Sequence, residues 1–282
     1  LLAKQPFLPL LQLWKVGDQL IPLPPHGVGY FGFFLGLRGK FPDVWLLFTN
    51  SLRGDLEAWL SGCRQRFGIV RTGKRRPLLS HAYRVPATFD EHREHQLKLW
   101  EDFLLHFGLN APLAFTPLPS RQAAGSEIGL ICGSENNPGK RWPTGHWRAL
   151  IESLPHERFI LFGTKNDAPL TTAVATGFPL ERVADLAGKT DLSSYVARLR
   201  ACRLLVTNDT GGMHLANALG VPLIALFGPT NPVRTGPVFQ APARILQPPG
   251  CAPTGGGVLA DLAPAVVAMA VQDLLAQTGV RA

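Results

Sequence analysis

Charged residues are scarce in this chain of 282 residues. Asp, Glu, Lys and Arg make up 17% of it, against about 25% in an average soluble protein. Hydrophobic residues make up 46%, which is too many for a disordered polypeptide. The 29 glycines and 25 prolines fall below the roughly 25–30% typical of low-complexity sequence. The composition predicts a folded protein that is long enough for two domains.

Cysteine clusters and long apolar runs are also missing. The cysteines are Cys63, Cys132, Cys202 and Cys251. Their spacing does not suit a zinc site, so we expect free, mostly buried thiols in a reducing compartment and no metal. The longest stretch without a formal charge, 210–233, contains three prolines and four glycines and is a poor transmembrane helix. No signal peptide is visible, and because the first residue is not Met, we expect the natural start to lie upstream.

Positive charge is in excess, with 28 Lys and Arg against 20 Asp and Glu, a net charge of +8. This excess favours an anionic partner such as nucleic acid, an acidic membrane surface or a phosphorylated substrate. Nucleic acid is disfavoured, because the basic residues are not interleaved with aromatic residues that could stack on bases. The densest basic run, 64–76, holds six Arg or Lys and no acidic residue.

Apolar segments of strand length alternate with helix-like segments along most of the chain. This alternation predicts an α/β fold with parallel sheets, in which ligands bind at the carboxyl ends of the strands. The run DVWLLF at 43–48 is typical of a strand buried on both faces. We predict two Rossmann-like domains: an N-terminal domain over 1–115, a linker over 116–125 and a C-terminal domain over 126–282.

The sharpest motif is NDTGGMH at 208–214, where a predicted strand ends and two glycines open a helix. Helix N-termini present unpaired N–H groups and partial positive charge, so they bind phosphate, and glycine lets it approach. The alternative is an ordinary N-cap, in which Asp or Thr satisfies those N–H groups without a ligand. The motif is neither GxGxxG nor a Walker A sequence, which disfavours NAD dehydrogenases and P-loop NTPases.

Three further polar loops follow predicted strands. The loop LFGPTNP at 226–232 is expected to form a crevice beside the 208–214 motif, although alone it is an ordinary turn. In CGSENNPGKRWP at 132–143, Lys140 could hold a pyrophosphate, although an isolated Lys-Arg pair is more often solvated. In FGTKND at 162–167, Asp167 could accept hydrogen bonds from ribose hydroxyls. Four such loops in one domain indicate a binding site more strongly than any one of them.

These segments, in this order, resemble glycosyltransferase family 9, the ADP-heptose:lipopolysaccharide heptosyltransferases. The resemblance rests on the motifs at 134–143, 208–214 and 227–230, with a weaker block at 50–68. It is closest to the second-heptose type. The chain departs from the family pattern at Thr49, Asn136, Asn137 and Cys251.

The resemblance implies a GT-B fold of two facing Rossmann-like domains, here without the first strand–helix unit. It implies inverting transfer of a heptose from ADP-heptose to the lipopolysaccharide inner core, without a cofactor. The general base is then expected outside this chain, and Lys140 is expected to stabilise the leaving diphosphate. The donor-binding residues implied are Ser134, Glu135, Lys140, Asp167, Asp209, Thr210, Gly211, Gly212 and His214.

Two alternatives stay open from the sequence. Another GT-B enzyme, either a different nucleotide-sugar transferase or an epimerase, would have the same fold. A catalytically silent paralogue would bind the nucleotide sugar without transferring it.

The resemblance also implies that the N-terminal domain faces the acceptor, a phosphorylated glycolipid in an anionic membrane leaflet. Each basic residue near such a surface contributes about 1 kcal/mol of attraction, although a charge run is more often a solvated loop. Rings in the uncharged segment 28–37 could add a shallow apolar contact, but we expect most to be buried. We expect a cytoplasmic protein, peripheral on the inner face of the inner membrane. The acceptor-side and membrane-side residues expected are Asn50, Ser51, Arg71, Lys74 and Arg75.

Overall fold

The computed structural model describes residues 1–40, 43–118, 125–134 and 137–278. The chain divides into two compact units, Leu1–Leu113 (unit 1) and Ala114–Ala282 (unit 2). Most of the linker expected over 116–125 lies outside the described residues, because 119–124 are not among them.

The described part of unit 1 combines short parallel strands with four α-helices. Its strands are β1 (Leu2–Lys4), β2 (Ile21–Leu23), β3 (Val44–Leu47), β4 (Gln65–Val70) and β5 (His81–Arg84), and its helices are α1 (Leu8–Leu13), α2 (Tyr30–Leu35), α3 (Leu52–Leu60) and α4 (Gln96–His106). Strand β1 pairs with β2, and β3, β4 and β5 form a second parallel sheet in that order. Helix α4 packs Leu99 and Phe103 onto Ile69 and Tyr83 of that sheet. A buried ion pair between Arg76 and Asp55 ties the segment after β4 to helix α3.

Strand β3 differs from its sequence prediction. Its run of apolar residues predicts burial on both faces, but Val44 is 46% exposed and Leu46 is 43% exposed. Leu47 alone is fully buried, and Trp45 packs partly against the cluster around Phe34. Strand β3 is the edge strand of its sheet, and Leu99 and Phe103 of α4 pack on Ile69 and Tyr83 of the two strands beyond it.

In its described residues, unit 2 is one six-stranded parallel sheet with helices. Its strands are β6 (Glu127–Ile131), β7 (Arg158–Phe162), β8 (Val183–Asp185), β9 (Leu204–Asn208), β10 (Leu223–Leu226) and β11 (Ala243–Leu246), and its helices are α5 (Thr144–Ser153), α6 (Ala168–Ala175), α7 (Leu192–Ala201), α8 (Gly211–Ala218), α9 (Pro232–Thr235) and α10 (Pro264–Gln277). The four inner strands are almost wholly buried. This burial explains their continuous apolar sequences.

The strand order of unit 2 determines where a ligand can bind. The order is β11-β10-β9-β6-β7-β8, with every neighbouring pair parallel. This is the order of dinucleotide-binding Rossmann folds, which begin with a central strand and build outward on both sides. The direction of building reverses between β6 and β9, and the connections that leave those two strands diverge. A crevice therefore opens at their carboxyl ends.

Two tryptophans anchor the segment after β6 to the core of unit 2. Trp142 and Trp147 are fully buried, with ring centroids 5.0 Å apart at nearly a right angle. The Trp142 indole N–H donates to the carbonyl of Leu262 at 2.9 Å, so its polar atom is satisfied. This anchor fixes the end of the polar loop that carries Lys140.

Candidate functional site

A cavity of about 880 Å³ lies at the carboxyl ends of β6, β7, β8 and β9, within unit 2. We call it the strand-end cavity. It is lined by eight of the nine donor-side residues that the sequence predicts: Ser134, Lys140, Asp167, Asp209, Thr210, Gly211, Gly212 and His214. The ninth, Glu135, lies outside the described residues.

Lys140 and Asp209 form an ion pair in the cavity wall. The Lys140 ammonium donates to Asp209 Oδ2 at 2.7 Å, and the two side chains are 25% and 8% exposed. Lys140 is therefore not the solvated turn residue that an isolated Lys-Arg pair would suggest. An ammonium group has three N–H donors, and this contact uses one of them. The others are available to an anion in the cavity.

The buried side chain of Asn208 joins the loops after β6 and β9. Its amide nitrogen donates to the carbonyls of Cys132 and Gly133 at 2.8 and 3.2 Å. Its amide oxygen accepts from the backbone N–H of Trp142 at 3.3 Å. Arg141 adds hydrogen bonds from its guanidinium to the Ser134 carbonyl at 3.0 and 3.2 Å. The Asn208 bonds hold the loop that carries Lys140 against the end of β9, next to Asp209, and the Arg141 bonds tie together two parts of the Lys140 loop itself. Asn208 belongs to the 208–214 motif, but the sequence analysis did not predict that its side chain connects these two segments.

Helix α8 begins at the cavity without a side-chain cap. Thr210 occupies the N-cap position in an extended conformation, but its side chain accepts no hydrogen bond from the first turn. The capping alternative is therefore wrong for this helix, and its first N–H groups keep the partial positive charge of a helix N-terminus. A Cβ atom on Gly211 would meet nothing within 4 Å. At this glycine a ligand can approach the backbone closely.

Asp167 lines the cavity and also stabilises its own turn. Its Oδ2 accepts from the Thr164 N–H at 2.9 Å and from the Thr164 hydroxyl at 2.8 Å, in a capping box. Gly133 faces Asp167 so closely that a Cβ atom there would collide with the carboxylate. One carboxylate oxygen is thus committed to the turn after β7. The predicted contact of Asp167 with ribose would have to use the other.

The loop at 227–232 is not among the residues that line this cavity, although Thr235, just beyond it, is. The crevice expected beside the 208–214 motif stays a prediction. Strands β9 and β10 are neighbours as expected. However, the Gly228 carbonyl accepts from Gly256 and Gly257 at 3.0 Å each, and a Cβ atom on Gly228 would lie 2.8 Å from Leu259 Cβ. Residues 255–259 therefore pack against this loop.

The connection from β8 to α7 supplies cavity residues that the sequence analysis missed. Thr190, Asp191 and Tyr195 belong to this group. Asp191 caps α7 by accepting from the Ser194 N–H at 2.7 Å, and hydrogen bonds from Ser194 lower its pKa. Burial raises the pKa of the Tyr195 phenol well above its usual value. The sequence signal that could have drawn attention to these residues is Asp-Leu-Ser at 191–193, an N-cap pattern that marks the start of a helix.

The predicted acceptor-side residues lie in unit 1 and differ in their surroundings. Asn50 is exposed, whereas Ser51 caps α3 by accepting from the Gly54 N–H at 3.1 Å. Arg71 pairs with Glu91. Lys74 and Arg75 are exposed, and no ion pair joins them to another described residue.

The rest of the basic run is less available than its sequence suggests. Arg76 is held by Asp55 and by the Ile69 carbonyl, at 2.8 Å from the latter. Arg66 donates to the carbonyls of Leu78 and Cys63. These two guanidinium groups stabilise the strand edges and add little to a surface patch.

In the described ranges, no helix has the length and apolar character that crossing a bilayer requires. No disulfide joins the four cysteines, all of which lie among the described residues, and Cys63, Cys132 and Cys202 are buried as expected.

Comparisons of this chain with family models, with curated proteins and with solved structures all match heptosyltransferases. The family described as glycosyltransferase family 9 (heptosyltransferase) matches residues 36–255. Lipooligosaccharide heptosyltransferase 2 of Haemophilus influenzae is 41% identical over 116 residues, which make up 39% of this chain and 34% of that protein. The chain thus spans about a third of the length of such curated relatives in these alignments.

Two solved structures from Escherichia coli share the fold. The structure of ADP-heptose lps heptosyltransferase II matches with a TM-score of 0.80 at 26% identity, covering 99% of this chain and 89% of that one. Heptosyltransferase WaaC with ADP matches with a TM-score of 0.75 at 18% identity, covering 97% and 89%. The predicted fold class, GT-B with parallel α/β sheets, is confirmed. The match over 36–255, which is most of the chain, establishes the family, and the chain belongs to glycosyltransferase family 9.

Proposed function

We propose that the protein transfers a heptose from ADP-heptose to the lipopolysaccharide inner core, and that the strand-end cavity binds the nucleotide-sugar donor. The observation that carries this proposal is the meeting of the Lys140 ammonium with the uncapped start of α8 in one cavity. Both features favour a dianionic diphosphate. The structure of the related heptosyltransferase WaaC contains ADP, which suits the same assignment.

The proposed chemistry is an inverting displacement at the anomeric carbon. The acceptor hydroxyl oxygen forms a bond to this carbon while the bond to the diphosphate oxygen breaks, and the electron pair leaves with ADP. The hydroxyl proton passes to a general base, a role that we assign to none of the cavity residues. Lys140 and the first N–H groups of α8 stabilise the charge that develops on the leaving diphosphate. Preorganised donors in a closed cleft can lower such a barrier by several kcal/mol.

The remaining donor-side residues have supporting roles in this proposal. Asp209 holds Lys140 in place and faces the sugar, and Asp167 offers its second carboxylate oxygen to the nucleoside. Thr210, Gly211 and Gly212 form the phosphate-facing start of α8. Ser134 and His214 complete the donor pocket, and Glu135 keeps its predicted role as a donor-binding residue.

The acceptor is proposed to bind in unit 1 through exposed basic residues. Lys74 and Arg75 carry charge into solvent, and Arg71 carries a charge that Glu91 partly offsets. With Asn50 and Ser51 they form the acceptor-side set. Their attraction to anionic lipid and to acceptor phosphate would hold the protein on the cytoplasmic face of the inner membrane.

Incubation of the complete protein with candidate donors tests the proposal. ADP-heptose, UDP-glucose and UDP-N-acetylglucosamine would each be supplied with a heptose-acceptor lipopolysaccharide core, and mass spectrometry would follow both products. We expect ADP release and a core heavier by one heptose, with ADP-heptose alone. Transfer from a UDP-sugar would show a different glycosyltransferase. Donor binding without any transfer would show the silent paralogue.

A further inference from the structure

Tyr195 stands out among the cavity residues that the family motifs do not include. It lies in the first turn of α7, and its ring packs edge-on against Phe162 with centroids 5.4 Å apart. The phenol lines the strand-end cavity. Within the described ranges, its hydroxyl has no hydrogen-bond partner among the side chains and carbonyls around it.

The hydroxyl lies beside the first turn of α8. A Cβ atom on Gly212 would be 2.7 Å from Tyr195 Oη and would also collide with the Cδ1 of Ile131. The space that a side chain at position 212 would take is therefore occupied by the phenol oxygen. This places a side-chain donor next to the backbone donors at the start of the helix.

We propose that the Tyr195 hydroxyl donates a hydrogen bond to the diphosphate of the nucleotide sugar, as a third donor beside Lys140 and the start of α8. The inference rests on the proposed function and deepens it, because it names a specificity-determining contact with the phosphate part of the donor. A phenol with no acceptor among the described residues, facing a cavity beside a helix N-terminus, is suited to an anionic oxygen.

The protonation state of Tyr195 supports this role. A phenol donates only while it holds its proton, and its ordinary pKa is near 10. Burial raises the pKa of Tyr195 further, because the apolar surroundings disfavour a phenolate. The group stays neutral through the physiological range, so it donates to the diphosphate and adds no repulsive negative charge.

The Tyr195→Phe variant tests this contact while keeping the aromatic ring and its packing on Phe162. Calorimetric titrations would compare ADP, pyrophosphate and adenosine on the wild type and on the variant. We expect the affinity for ADP and for pyrophosphate to fall about tenfold, which corresponds to about 1.4 kcal/mol. The affinity for adenosine, which has no phosphate, should not change. Thermal stability should also be unchanged, because the hydroxyl bonds to no described protein group.

Tyr83→Phe is the matched control, since Tyr83 is a buried tyrosine in unit 1. It should leave the affinity for ADP unchanged. Wild-type affinity of Tyr195→Phe for ADP would overturn the inference. An equal loss for ADP and adenosine would also overturn it, because the hydroxyl would then serve the nucleoside. If the wild type bound neither ADP nor pyrophosphate, the proposed function itself would fail first.

Discussion

The ion pair between Lys140 and Asp209 combines structural and chemical roles in one contact. Exposed ion pairs contribute about 0–1 kcal/mol, whereas breaking a fully buried pair costs roughly 3–5 kcal/mol. The Lys140 side chain is 25% exposed and that of Asp209 only 8%, so this pair lies between the two cases. Losing the lysine would leave the carboxylate poorly solvated and without its counter-ion. The same change would remove the cation that the proposed function assigns to the leaving group.

The first prediction is that Lys140→Ala lowers kcat by about 100- to 1000-fold, the typical effect of removing one charge-stabilising donor. Affinity for ADP should fall less than kcat, because the charge on the diphosphate grows as the bond to the sugar breaks. The melting temperature should fall by a few degrees as Asp209 loses its partner. Steady-state kinetics, ADP titration and thermal denaturation measure the three effects.

Lys98→Ala is the control for this prediction. Lys98 forms an equally short pair with Asp102, at 2.7 Å, but on the exposed surface of α4 in unit 1. This variant should keep wild-type turnover. If Lys140→Ala also turned over like the wild type, Lys140 would be a purely structural residue.

Individual residues could be predicted from the sequence only where local chemistry is visible. Lys140 was identifiable because it follows a predicted strand in a polar loop. Its pairing with Asp209 was not, because the two are 69 residues apart and meet only when β6 and β9 become neighbours. The sequence analysis did not identify Tyr195 as a cavity residue for another reason, because an aromatic residue on an amphipathic helix usually packs into the core. Only its position beside Gly212 distinguishes it.

Elements at the edges of the sheets were harder to predict than the central ones. The inner strands of unit 2 carry continuous apolar runs, which is the pattern from which the sequence predicts parallel sheets. Strands β5, β8 and β11 have no such run, and each is the last strand of its sheet. An edge strand needs a continuous apolar run less than a central one, because it is buried and paired on one side only. Missing β8 concealed the β8–α7 connection and its cavity residues.

The start of α8 gives a second prediction, because its two glycines serve different purposes. A Cβ atom on Gly211 meets open space, whereas one on Gly212 meets Ile131 and Tyr195. We expect Gly211→Val to fold normally and to bind ADP at least tenfold more weakly, because the new side chain blocks approach to the backbone. We expect Gly212→Val to lose about 1–3 kcal/mol of stability, which is the usual cost of overpacking.

Each glycine variant serves as the control for the other. Urea denaturation would report the free energy of unfolding, and calorimetry would report ADP affinity. Wild-type ADP affinity in Gly211→Val would show that no phosphate lies at this helix start. Loss of stability in Gly211→Val, with Gly212→Val unaffected, would contradict the packing described for these two positions.

At the scale of the whole molecule, the net charge of +8 is a poor guide to any single surface. The sequence shows six basic residues in the run 64–76, yet Arg66 and Arg76 are held by backbone carbonyls and a buried carboxylate, and Arg71 is paired with Glu91. These partners come from distant parts of the chain and are invisible in the run itself. The run therefore offers fewer unpaired charges for an anionic surface than its composition suggests.

The last prediction concerns Lys74 and Arg75, two adjacent exposed basic residues of the run. If they contact an anionic leaflet, the double reversal Lys74→Glu/Arg75→Glu should weaken binding to phosphatidylglycerol vesicles about thirtyfold or more at low salt, since each basic residue contributes about 1 kcal/mol. The KM for the acceptor should rise while ADP affinity stays unchanged.

Lys15→Glu/Lys189→Glu is the control: both lysines are exposed, lie outside the run, and their reversal lowers the net charge equally. Arg76 is left intact, because its reversal would place two carboxylates together in a buried position. Added salt should reduce wild-type binding towards that of the Lys74/Arg75 variant, since screening acts on exposed charges. Equal vesicle co-sedimentation of the two double variants would mean that 71–75 is an ordinary solvated loop and that any membrane contact lies elsewhere.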